Sequence, residues 1–118
     1  MATSTIFRNF TIPVENRALI LIGNDIASDK YKTEIEAIRD LIRQGLTEDA
    51  SNRKKQLPAF TPSGVFREKR QMPFFDMYSG FIHLDFDKLT PEQLDEAFKV
   101  IIKIPYTFMC FISPRIVL

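Results

Sequence analysis

A chain of 118 residues, 45% of them apolar, has the length and composition of one globular domain with a real core. One cysteine, Cys110, excludes an internal disulfide and suits a reducing compartment, so a soluble, cytoplasmic protein is expected. The net charge of +1 favours no polyanion partner by itself, no basic segment leads into a long apolar block as in a signal peptide, and no apolar run is long enough to span a bilayer.

In chain order, residues 4–10 read as a short strand that Pro13 ends. Residues 18–23, an apolar run closed by Gly23, fit a strand or a buried helical turn, and periodicity does not separate the two. A helix is expected from Ser28 or Asp29. Tyr31, Ile35, Ile38 and Leu41 or Ile42 recur at helical spacing, and Gly45 is a natural residue just past its end. Residues 47–56 read as a short polar surface helix stopped by Pro58. Residues 59–66 read as extended or turn backbone, where Pro62 bars a central strand position. Six basic side chains and one acidic one lie between residues 53 and 70, which fits phosphate contacts or a solvated loop.

The run Tyr78–Asp87 is the expected central strand. Alternation gives it an apolar face of Ile82, Leu84 and Phe86, and an opposite face of Phe81, His83, Asp85 and Asp87. A helix follows: Thr90 is its N-cap, Pro91 sits at N1 and Gln93 closes a capping box. Its buried stripe is Leu94, Ala97, Phe98 and Ile101. Residues 106–112 read as a second strand of the same sheet. The helix is expected to cover Ile82, Leu84 and Phe86, leaving the carboxylate face open.

Carboxylates two residues apart on one strand face stand about 7 Å apart and can converge on a divalent ion. Asp85 and Asp87 are the candidate ligands for Mg2+ or Mn2+, with His83 beside a phosphate or a ligand water. Two surface acids fit the same pattern, because Asp-x-Asp is a common tripeptide and Asp87 sits where a strand gives way to a helix. No Cys/His metal spacing, Gly-rich phosphate loop or Gly-x-Ser-x-Gly elbow is present.

Three blocks resemble one known family: Lys55 to Phe66 (KQLPAFTPSGVF), Tyr78 to Leu89 (YSGFIHLDFDKL) and Phe111 to Pro114 (FISP). Together, from about Arg53 to Pro114, they are similar to the VirE N-terminal-like domain, a relative of the primase-polymerase superfamily linked to DNA replication and mobile elements. The resemblance implies an α+β fold with an RRM-like sheet and helices packed on one face. It implies that Asp85 and Asp87 bind metal, that Lys55 faces phosphate, and that Ser113 lies close to a bound nucleotide. The family's Gly-x-Gly-Leu-Lys after Ser113-Pro114 is replaced by Arg115-Ile-Val-Leu118, which implies a truncated module without polymerase activity.

Three roles are therefore expected to compete within one domain, residues 1–118, whose first part (1–52) contains a helix. The first is a truncated primase-polymerase-like domain that keeps divalent-metal, DNA or nucleotide binding. The second is a non-catalytic protein-interaction domain that forms a homodimer through an open sheet edge at 106–112. The third is a decayed reading frame with no present role.

Overall fold

Chain order opens with a hairpin. Strand β1 (Thr3–Arg8) runs antiparallel to β2 (Ile12–Ala18), and the turn between them holds Asn9 and Phe10 at φ 52° and 68°. The computed structural model describes residues 1–114. Pro13 does not end the first strand, as the sequence suggested. It lies inside β2, opposite Phe7, where the register shifts by a bulge. β2 is an edge strand, the position where a missing N–H does least harm.

The apolar run after β2 is helix α1 (Leu19–Ala27), which buries Leu19 and Ile22. Helix α2 (Lys32–Arg43) starts a few residues later than its pattern suggested and buries Ile38 completely. It ends as expected. Gly45 takes φ 78°, its N–H bonds Ile42 O, and Leu46 N–H bonds Leu41 O, the double closure that a left-handed residue after a helix allows. Helix α3 (Thr47–Lys54) follows and buries Ala50.

Two short antiparallel sheets hold the middle of the chain. In the first, β3 (Ala59–Phe60) pairs with the other side of β1. In the second, β4 (Gly64–Phe66) pairs with β5 (Phe75–Tyr78), which follows a single 3-10 turn. Buried Thr5 joins the two sheets. Phe66 N–H donates to Thr5 Oγ1 (2.9 Å), and the Thr5 hydroxyl donates to Asn16 Oδ1 on β2 (2.8 Å). The Phe66 ring stands edge-on to Phe7 on one side and to Phe75 on the other. Thr5→Val keeps the volume but orphans the Phe66 N–H. A loss of about 2 kcal/mol is expected by denaturant unfolding, and an unchanged midpoint would show that Thr5 merely fills space.

The ladder of the expected central strand stops early. β5 ends at Tyr78, opposite Gly64. Ser79 N–H still reaches Ser63 O (2.8 Å), but the next residue on the partner side is Pro62, which has no N–H to give. The chain then turns at Gly80, with φ 89°. Residues 81–87 run on without a turn or bend and belong to neither sheet. The run ends at Lys88, again left-handed at φ 58°.

Helix α4 (Pro91–Ile101) carries the capping box read from the sequence. Gln93 N–H donates to Thr90 Oγ1 (3.2 Å), and Thr90 N–H donates to Gln93 Oε1 (3.0 Å). Its expected stripe, Leu94, Ala97, Phe98 and Ile101, is the inward side, yet it is only half-buried. Residues 106–112 form no strand among the described residues. They cross the molecule as irregular backbone, with Phe108 on Phe81, Phe111 near Phe60, and Met109 tight against Gly23 of α1. Among the described residues the architecture is thus α+β, with four helices and two small antiparallel sheets. The strand–helix–strand unit expected at 79–112 is absent from it.

Candidate functional site

The residues singled out from the sequence lie on three separate elements. His83, Asp85 and Asp87 lie on the run 81–87, between the left-handed residues Gly80 and Lys88, and all three are exposed. Lys55 is exposed at the C-cap of α3. Ser113 is half-buried near the end of the described residues and is engaged by a neighbour. Among the described residues no hydrogen bond or ion pair joins Lys55, His83, Asp85 or Asp87 to one another. Among the described residues no three His, Cys, Asp or Glu side chains come together as a metal group. The sequence had Arg115 to Leu118 replacing a glycine-rich segment, and those positions lie outside the described residues.

Ile82, Leu84 and Phe86 do not lie beneath α4. They are 75%, 68% and 52% exposed. The physical reason is the early end of the ladder: once Gly80 turns the chain away from β4, no neighbouring strand fixes which side of the run faces inward. Phe86 lies beside the helix. With Ala97, Val100 and Ile101 it borders a shallow groove of about 430 Å³, which Gln93 and Glu96 also line. Val100 is itself exposed on α4. The result is an apolar ribbon at 82–86 that continues onto one side of α4. Nothing in the described residues hydrogen-bonds the backbone of residues 82–87, so its N–H and C=O groups are free to pair. The alternation by itself reads this ribbon as core. The signal against that was present: Pro62 opposite the strand's continuation, and Gly80 within it.

The basic side chains of residues 53–70 do not form one field. Arg53 pairs with Glu34 (3.3 Å) and Arg67 lies near Asp76 (3.9 Å). Lys69 stands over the Phe74 ring and Arg70 over Phe10. Each of these four thus has an acid or a ring beside it.

Cys110 is half-buried, and desolvation raises its thiol above the ordinary value. Folding thus favours the protonated form. That contribution is complete below the thiol's ordinary value and is lost as pH rises through the raised one. Alkylation at neutral pH is expected to be slower in the folded chain than in denaturant, and stability is expected to decline at alkaline pH. Equal alkylation rates in the two states would contradict the burial.

Residues 52–115, more than half of the chain, match the family described as BT4734-like, N-terminal domain. This corrects the resemblance drawn from the sequence. Almost the same stretch carries the match, but the family is a different one from the VirE N-terminal-like domain, and the inferred kinship with primase-polymerases loses its support. No curated protein and no solved structure matches the chain. Among the described residues no helix is long and apolar enough to cross a membrane.

Proposed function

The chain belongs to the BT4734-like N-terminal domain family, and from that premise we propose that it is a non-catalytic protein-interaction domain that self-associates through an open strand edge. The observation that carries this reading is the apolar ribbon Ile82, Leu84 and Phe86, exposed on a backbone run with free hydrogen-bonding groups. Edges of that kind pair with other chains unless something blunts them. A contiguous apolar patch on a small domain marks a contact surface more often than an accident of folding.

The edge that pairs is 81–87. The run 106–112, which the sequence favoured, already packs against Gly23, Phe60 and Phe81. Fully burying one large apolar side chain is worth about 1.5–3 kcal/mol. Partial burial of this face on two copies therefore yields a gross gain on the order of 10 kcal/mol. Association costs about 4–15 kcal/mol in lost freedom. These terms nearly balance, so the expected assembly is a weak, concentration-dependent one.

Sedimentation equilibrium of the wild type beside the triple variant Ile82→Ser, Leu84→Ser, Phe86→Ser tests the reading. The wild type is expected to associate as concentration rises, and the variant is expected to stay monomeric with an unchanged circular dichroism spectrum. A wild type that remains monomeric at the highest soluble concentration rules the reading out.

A further inference from the structure

The run between Gly80 and Lys88 is symmetric in a way that selects one partner and one register. In an antiparallel pair, residues directly opposite share a face. Only registers that set the apolar face of one strand against the apolar face of the other bury Ile82, Leu84 and Phe86 together. Centred on Leu84, such a register sets Leu84 against Leu84, Ile82 against Phe86, and His83 against Asp85 twice over. Centred on Asp85, it sets two carboxylates face to face and draws in Lys88, whose left-handed backbone (φ 58°) leaves the line of the strand. Centred on His83, it sets the two imidazoles face to face and draws in Gly80, left-handed at φ 89°. The two left-handed residues are equidistant from Leu84, so that register alone uses the whole of Phe81–Asp87 and neither of its bends.

We propose that two copies of this chain pair antiparallel along residues 81–87, about a two-fold axis through Leu84. The proposal rests on the self-association reading above and adds the partner surface and its register. On one side of the paired ribbon, Ile82, Leu84 and Phe86 of both copies form a continuous apolar strip. Ile82 of the second copy lies opposite Phe86, next to the groove that Phe86 shares with Ala97, Val100 and Ile101. On the other side, each His83 imidazole meets an Asp85 carboxylate of the second copy, so the acids of this face serve pairing. The two-fold closes the edge that pairs, while the opposite edge of each strand keeps its own N–H and C=O groups.

Single cysteines introduced into a Cys110→Ala background test the register. All three positions are exposed, so the substitutions leave the core untouched. Leu84→Cys places two thiols directly opposite each other, within the 4.4–6.8 Å Cα range that a disulfide spans. It is expected to convert most of the protein to a disulfide-linked dimer under mild oxidation. Ile82→Cys alone and Phe86→Cys alone place their thiols about 13 Å apart and are expected to stay largely uncrosslinked. Mixing those two variants is expected to restore the crosslink as a heterodimer. A chain that associates but crosslinks poorly at Leu84→Cys, or best at another position, overturns the register and leaves self-association standing. A Cys110→Ala chain and a wild type that both stay monomeric at high concentration overturn both.

Discussion

Gly64→Ala is expected to lose about 3 kcal/mol of stability, a large share of what a domain of this size usually has. A methyl group at Gly64 would run into the Met77 carbonyl oxygen and the Phe75 ring. One of those neighbours is backbone of the paired strand and the other is the ring that packs on Phe66, so neither can yield without breaking a contact. The ring fills the space that a side chain at residue 64 would take. Gly80→Ala separates this crowding from backbone strain. Nothing lies within reach of a methyl group there, but the backbone is left-handed, and a loss of about 1 kcal/mol is expected. Thermal denaturation of both variants gives the comparison. Equal losses would mean that Phe75 does not seat against Gly64.

Phe7→Ala is expected to cost about 3–5 kcal/mol. Phe7 is fully buried on the central strand of the first sheet, and its ring meets Phe66 edge-on at 6.2 Å between centroids. Val65, the other buried apolar residue on a strand packed against β1, is tied into its own pairing with β5 and cannot move over to fill the cavity without breaking it. Phe98→Ala on α4 is the contrast. That helix has no buried residue, so about 1 kcal/mol is expected. Equal losses in the two variants, read from denaturant midpoints, would place part of the core beneath α4.

This imbalance explains what could be read from the sequence. Local signals were enough wherever one element decides its own form. The Thr90-Pro91-x-Gln93 cap and Gly45 after α2 appear as read, and the polar helix read over 47–56 forms over 47–54, because each depends on residues within a turn or two. Pairing was not legible, because a strand exists only with a partner. The alternation of Ile82, Leu84 and Phe86 is a true two-residue period, but the proline on β4's upstream side and the turn at Gly80 remove the neighbour that would have turned one face inward. The same applies to 106–112, where Phe108, Met109 and Phe111 pack against Phe81, α1 and β3 without a ladder.

The acids show the limit from the chemical side. Asp85 and Asp87 share a face in sequence periodicity, and in the structure both are exposed with no third carboxylate, imidazole or thiolate grouped with them among the described residues. A divalent ion there would have to be held mainly by water. With Asp85 engaged by His83 of a second copy, as proposed above, an Mg2+ titration followed by NMR at Asp85 and Asp87 of the associated protein is expected to give small shifts that do not saturate. Saturation with a distinct bound state would show that the carboxylates converge on an ion.

The most direct measurement is amide hydrogen exchange along residues 81–87 at two protein concentrations, one below and one above self-association. Pairing about Leu84 predicts that every second amide in that run slows on association, while those between keep their free rate. Uniform, fast exchange at both concentrations would contradict pairing through this edge.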